Sequence, residues 1–259
     1  MATDVQCKLV LVGNGSVGKT SIVARFTEDG FARVYKQTIG VDFFEKRVEL
    51  RGGLRMKLQV WDIGGQSLNS KMLQNYITGA GVIFLCYDVT DLQSFSDLED
   101  WLETVRRLLL AAVSIRPGSA IKSPVIHLLG NKADLMDLRR VTKEKHAAFI
   151  ADHGLDGGIV CSAQNGENVT RAFYRAAGRA AGVELNAYEL AFLDRPLQAT
   201  ISRRRGGSGC GSGGGIGGGG REAGEDGSRA VLADRIEAED RALEAAKAAR
   251  ARRYSCTIT

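Results

Sequence analysis

The chain has no apolar run near the ~20 residues that a membrane-spanning helix needs, so no spanning helix is expected. Its start, Met1-Ala2-Thr3-Asp4, lacks a basic segment and an apolar one, so no secretory leader is expected either. Ala2 stands where a myristoyl signal requires glycine. Cysteine is sparse: Cys7, Cys86, Cys161, Cys210 and Cys256 form an odd set without ligand-like spacing. The first three fall in apolar strand-like runs, where a small buried thiol is the expected role. A reducing cytosolic setting follows, with neither zinc nor disulfides. An excess of one charge is also lacking. A net charge of +5 over 259 residues gives no reason to expect nucleic acid as a partner. What the chain does have is a first ~185 residues carrying nearly all the large apolar side chains, enough for one core. Glycine and alanine become dense after residue 200.

Gly13-Asn14-Gly15-Ser16-Val17-Gly18-Lys19-Thr20 reads G-x-x-x-x-G-K-[ST], the phosphate-cradling pattern of P-loop nucleotide hydrolases. The β-rich run Lys8 to Val12 precedes it, and Ser21 to Phe26 continues it as a helix. Glycines let the backbone turn tightly, so successive N–H groups converge on phosphate oxygens at a helix start. Lys19 would place its charge on the β- and γ-phosphates, and the Thr20 hydroxyl would ligate Mg²⁺. The bland alternative is a glycine-rich turn that binds nothing.

Beyond it, Thr27 to Gly40 reads as a loop. Val41 to Leu50 and Leu54 to Asp62 read as strands joined by the turn Arg51-Gly52-Gly53. Met56, Leu58 and Val60 would face one side of the second strand, Lys57 and Gln59 the other. Leu68 to Ile77 is expected as a short helix and Gly81 to Asp88 as a strand buried on both faces. Ser94 is expected to cap a helix through Trp101 and Leu110, with Pro117-Gly118 ending that region. A strand Val125 to Gly130 follows. The remaining expectations are a helix Lys143 to His153 with Ala147, Ala148 and Ile150 on one side, a strand Gly158 to Ser162 and a helix Val169 to Ala181. Alternating strands and helices predict an α/β fold with a mainly parallel sheet, the hairpin adding one antiparallel edge strand. Ligands in such folds sit beyond the carboxyl ends of the strands.

Two more patterns fall on that rim. Asp62-Ile63-Gly64-Gly65 is D-x-x-G after a strand: the carboxylate can hold Mg²⁺ through water, and the Gly65 N–H can bond a γ-phosphate oxygen. Asn131-Lys132-Ala133-Asp134 is N-K-x-D after another strand. Asp134 can accept from the guanine N1 and N2 protons, a pair of donors that adenine lacks, while the Lys132 stem covers the base. The alternative, read alone, is an ordinary strand-ending turn followed by a helix cap.

From about Cys7 to Gly182 the chain resembles the Ras-like small GTPases. Thr38-Ile39-Gly40-Val41-Asp42-Phe43, with Trp61-Asp62 and Tyr76, resembles the Rab branch. Trp61 to Gln66, Leu98-Glu99-Asp100-Trp101 and a C-terminal prenylation box look most like its twenty-eight subtype. The resemblance implies a P-loop NTPase (Ras-like) α/β fold, with a six-stranded, mainly parallel sheet flanked by helices on both faces. It implies GTP/GDP and Mg²⁺ as cofactors, bound by Gly13, Asn14, Gly15, Ser16, Val17, Gly18, Lys19, Thr20, Ser21, Phe31, Thr38, Gly65, Asn131, Lys132, Asp134, Ser162 and Ala163. Thr38 would join Thr20 and Asp62 at the metal, Phe31 would pack on the guanine edge, and the Ala163 N–H would face guanine O6. Gln66 would orient the attacking water, acting with Lys19 and Thr38, and Gly15 would keep its approach clear. Phe43, Trp61 and Tyr76 would be read by effectors and exchange factors, core packing being their other role. A monomer is implied, on the cytoplasmic side of vesicle or ciliary membranes and cycling with the cytosol.

One departure stands out. Most Rabs have Thr-Ala-Gly-Gln then Glu-Arg-Phe, where this chain has Ile63-Gly64-Gly65-Gln66 then Ser67-Leu68-Asn69. The extra glycine predicts a segment costlier to order by ~0.5–1 kcal/mol, hence a larger order–disorder change between nucleotide states. The usual activators of the branch are also put in doubt.

Residues 1–185 read as the GTPase domain and 186–227 as a linker, with Arg203-Arg204-Arg205 before a Gly/Ser tract. That tract is either a tether or a repeat expansion without a role. Residues 228–254 are rich in helix formers, as a solvated or a partner-binding helix. Residues 255–259 end in Cys256-Thr257-Ile258-Thr259, like a prenylation box, with Lys247, Arg250, Arg252 and Arg253 upstream as a second membrane signal. A switch that hydrolyses GTP slowly is the reading these features favour. Its rivals are a nucleotide-binding scaffold that does not cycle and an ATPase.

Overall fold

The computed structural model describes residues 5–31, 36–69, 71–115, 123–186, 189–190 and 193. The elements are β1 (Val5–Val12), α1 (Lys19–Glu28), β2 (Val41–Leu50), β3 (Leu54–Ile63), α2 (Leu73–Ile77), β4 (Val82–Asp88), α3 (Leu92–Ser96), α4 (Leu98–Ile115), β5 (Val125–Asn131), α5 (Lys143–His153), β6 (Gly157–Val160) and α6 (Val169–Ala181). The sheet runs β2-β3-β1-β4-β5-β6, parallel throughout except β2, the antiparallel edge strand.

Period-two alternation sorts the strands' side chains onto two faces. Cys7, Leu9 and Leu11 of β1 join Met56, Leu58 and Val60 of β3 under α1 and α6. Val10 and Val12 turn the other way and pack with Leu73 of α2, Trp101 of α4 and Phe149 of α5. β4 has both sides covered and every residue buried, as its apolar run predicts. α6 binds its face through Val169, Ala172, Phe173, Ala176 and Ala177, the helical spacing of an apolar stripe. Burying a large side chain such as Phe173 stabilises by roughly 1.5–3 kcal/mol.

Several expectations need correction. α1 runs on to Glu28, so the following loop starts later than Thr27. Leu68–Ile77 divides into a 3-10 turn, Ser67–Asn69, and the shorter α2. Ser94 caps nothing: Asp91 caps α3 by accepting from the Gln93 N–H at 2.9 Å. The buried Ser94 hydroxyl accepts from the Asp88 N–H at 3.1 Å and donates to Asp91 O at 2.8 Å. α5 buries His146, Phe149 and Ile150, with Ala148 exposed. Burial holds His146 neutral, its pKa lowered to about 3, and its Nδ1 meets the Tyr87 hydroxyl at 2.9 Å. Packing continues past residue 185: Asn186 and Glu189 bond each other's backbone N–H groups at 2.8 Å, and Leu190 is buried. Pro117, Gly118, the Gly/Ser tract, the terminal helix and Cys256 lie outside the described residues.

Candidate functional site

The phosphate-loop pattern lies between β1 and α1, where two glycines are sterically required. Gly13 has φ +137°, and a Cβ there would lie 2.1 Å from the Cys86 carbonyl oxygen of β4. Gly18 has φ +93°, and its Cβ would lie 2.3 Å from Asn131 Nδ2. No side chain caps α1, so the N–H groups of its first turn are left for a ligand. The buried Lys19 Nζ donates to the Gly13 and Asn14 carbonyls at 2.6 and 2.7 Å. Burial lowers its pKa, while Cys86 and Asp62 pull it back up. Cys86, under the loop, has its thiol pushed up to about 12 by burial, which removes it as a nucleophile at neutral pH.

Asp62, at the end of β3, is fully buried. Its Oδ2 accepts from the Thr20 hydroxyl at 2.5 Å and from Thr38 at 3.4 Å, and those hydroxyls lie 2.8 Å apart. Its Oδ1 is buried with no hydrogen-bond partner. Burial raises the Asp62 pKa, opposed by the Thr20 bond and the Lys19 charge. Two hydroxyls and a carboxylate with one oxygen unmatched make an all-oxygen donor set that suits a small hard cation. The following loop closes on both neighbours. The Gly64 N–H donates to Gly40 O at 2.9 Å, and a Cβ on Gly64 would lie 2.5 Å from Thr38 O. A Cβ on Gly65 would lie 2.1 Å from the Gly15 nitrogen.

The N-K-x-D segment follows β5. Asn131 donates to Val17 O at 2.9 Å, and its Oδ1 accepts from the Ala163 N–H at 3.1 Å. Asp134 Oδ1 accepts a short bond from the Ser162 hydroxyl. Lys132 adopts φ +67°, with Nζ 2.6 Å from Asp88 Oδ2. Asp88 in turn accepts from the Thr90 N–H and hydroxyl, both at 2.8 Å. From α1, Arg25 donates to the Ala163 and Gln164 carbonyls at 2.9 and 2.7 Å, bracing the β6–α6 loop.

These loops line a cavity of about 660 Å³. It is lined by Gly15, Ser16, Gly18, Lys19, Thr20, Ser21, Phe31, Thr38, Gly65, Gln66, Asn131, Lys132, Asp134 and Ala163, among others. The expected set is thus brought together, with four differences. Gly13 and Val17 do not line the cavity, Val17 being buried in the core. The Asn14 side chain turns away from the cavity to Asp97 and Trp101. Ser162 is buried behind Asp134 and lines nothing. The Ala163 N–H, expected to face a guanine oxygen, is already donated to Asn131, because β5 and β6 end side by side. Such an N–H can still be shared with a second acceptor.

Phe43 of the edge strand β2, Trp61 of β3 and Tyr76 of α2 lie together. Phe43 meets Trp61 edge-on with centroids 5.5 Å apart, and Tyr76 lies 6.2 Å beyond. Phe43 is exposed, and the other two are half-buried, so packing and display coexist. Arg25, Asp88, Asp97 and Trp101 were not expected at the site. Asp88 had a usable signal, since it ends a strand on the ligand rim. The rest are distant partners with no local mark.

A model of the Ras family matches residues 8–181. The chain is 38% identical over 188 residues to the Ras-related protein Rab-28 of Caenorhabditis elegans, covering 72% of each chain. It is 38% identical over 172 residues to Ras-related protein Rab-13 of Mesocricetus auratus, 66% of this chain and 78% of the relative. It is 36% identical over 174 residues to Ras-related protein Rab-8A of Bos taurus, 67% of this chain and 78% of the relative.

Proposed function

This chain belongs to the Ras family, as a Rab small GTPase, and from that premise we propose a Mg²⁺-dependent, slowly hydrolysing, membrane-attached switch in vesicle or ciliary traffic. As a member it binds GTP and GDP, hydrolyses GTP, and engages regulators and effectors. The observation that carries the Mg²⁺-dependent switch is the buried Asp62 Oδ1 left unmatched beside the Thr20 and Thr38 hydroxyls. Thr20, Thr38 and Asp62 would hold Mg²⁺, which when bound supplies charge neutralisation at the phosphates.

The chain's own groups do the rest. Lys19, now on loop carbonyls, would turn to the β- and γ-phosphates, and the N–H groups of Gly15 to Ser21 would converge on their oxygens. Asp134, oriented by Ser162, would accept from the guanine N1 and N2 protons. Lys132 and Phe31 would cover the base, with Ala163 at its O6. Gln66, exposed at the cavity, would orient water toward the γ-phosphate, and Gly65 would bond that phosphate. Hydrolysis of this kind depends on positioning and charge more than covalent chemistry, so without a partner's arginine the rate is slow. Phe43, Trp61 and Tyr76, with the loops near Thr38 and Gln66, would display the nucleotide state. The displayed rings support a partner-reading role.

Delivery rests on sequence. Residues 1–185, with Asn186, Glu189 and Leu190 continuing the packed part, would act as a monomeric switch, the chain from there to 227 as its linker, 228–254 as a helix and 255–259 as the lipidated end. One prenyl chain on Cys256 holds a membrane marginally, and the upstream basic residues would add the second signal. Loss of membrane association in a Cys256→Ser protein is the expected outcome; retention would contradict it. Single-turnover GTP hydrolysis tests the switch itself. Gln66→Leu should slow it roughly a hundredfold, as for a mispositioned reactant. Equal rates would favour the non-cycling scaffold.

A further inference from the structure

Asn14 belongs to the phosphate loop, yet its side chain turns toward the α3–α4 junction. There Nδ2 donates to Asp97 Oδ2 at 2.6 Å, and Oδ1 accepts from Trp101 Nε1 at 2.9 Å. The indole N–H can only donate and the carboxylate can only accept, so together they fix the orientation of the amide. Trp101 is 1% exposed and cannot swing away, and Asp97 is itself held by Gln93, whose Nε2 donates to Oδ1 at 2.6 Å. Asparagine fits because it alone among short side chains presents a strong donor and a strong acceptor on one rigid plane.

The backbone of the same residue is a meeting point. Its carbonyl accepts from Lys19 Nζ at 2.7 Å, and a Cβ on Gly65 would lie 2.4 Å from its carbonyl carbon. Lys19 and Gly65 therefore both take their places against the Asn14–Gly15 peptide, which the side-chain clamp anchors from behind.

We propose that Asp97 and Trp101 are positioning residues for the phosphate loop: by clamping the Asn14 amide they set the loop that holds a guanine nucleotide's phosphates, and so govern nucleotide release. The proposal rests on the GTPase reading above and adds a control point outside the nucleotide motifs. Its exposed outer member, Gln93, makes the clamp reachable from the surface.

The test exchanges the two partners. Asn14→Asp sets two carboxylates against each other while keeping the Trp101 bond. Adding Asp97→Asn restores a donor across the pair, so that two donors again meet two acceptors, with the charge moved to the other side. The full chain is loaded with a fluorescent GDP analogue and diluted into excess GDP. Asn14→Asp should speed release roughly tenfold or more, as expected for losing one charge-assisted hydrogen bond. The double variant should return most of that change. The preference for GTP over ATP should hold in both, because the base end is untouched; a general loss of structure would erode both together. Unchanged release in Asn14→Asp, or no recovery in the double variant, overturns the proposal. Should Asn14→Asp fail to fold, Asp97→Ala reads the same clamp: faster release supports it, and an unchanged rate overturns it. A wild-type chain that retains no GDP would overturn the GTPase reading itself, and the clamp with it.

Discussion

At the base end of the cavity, side chains do the holding. Asn131 ties Val17 to Ala163, Ser162 bonds Asp134, Asp88 pairs with Lys132, and Arg25 grips the Ala163 and Gln164 carbonyls. At the switch end the contacts are made by bare backbone. Gly64 bonds Gly40 and sits under the Thr38 carbonyl, and Gly65 rests on Gly15. Among the described residues, the side-chain cluster there is Thr20, Thr38 and Asp62, and it leaves a carboxylate oxygen unmatched. The difference teaches how recognition and signalling divide. Groups whose bonds are already made would, in the proposed roles, select a base without rearranging. Glycine contacts without side-chain anchors are gained and lost cheaply, which is what a state-dependent segment requires.

The sharpest way to break the base end is Asp134→Ala. A site built around two hydrogen bonds discriminates strongly through them, so the GTP-over-ATP preference should fall by roughly 10³–10⁴-fold. Competition binding of the two nucleotides reads it, and a preserved preference would mean that Asp134 is not the selector. Gly64→Ala probes the other end with a smaller effect. Its Cβ would lie 2.5 Å from the Thr38 oxygen, and relieving such overpacking typically costs about 1–3 kcal/mol. Hydrolysis should slow about tenfold, the lower part of that cost, while GDP affinity holds, since in the proposed switch GDP would not need Thr38 closed over Gly64. Equal loss of hydrolysis and GDP affinity would show that the glycine serves the whole pocket rather than the switch.

Local patterns were the legible part. β3 alternates as its sequence alternates, and α5 and α6 keep the bounds expected of them, although α5 turns a different side inward. Each nucleotide motif is a contiguous run at a strand end, so one sequence shows both pattern and context. What was not legible is held by distance. Asn14 with Asp97 spans 83 residues and Arg25 with Ala163 spans 138, and neither pair carries a local signature. Ser94 misled for a related reason: a serine before an apolar run suits a cap, but its hydroxyl is spent on Asp88 and the nearby Asp91 takes the capping role. The glycine pair was legible as an entropic cost and illegible as a contact. Only the fold shows that Thr38 and Gly15 approach where side chains would stand.

Hydrogen exchange of the full chain, loaded in turn with GDP and a non-hydrolysable GTP analogue, tests the division most directly. The base end, residues 131–134 and 161–164, should be equally protected in both states. Residues 36–40 and 63–69 should gain protection only with the GTP analogue, as the Gly40–Gly64 contact closes. Equal protection of residues 63–69 in the two states would contradict the account.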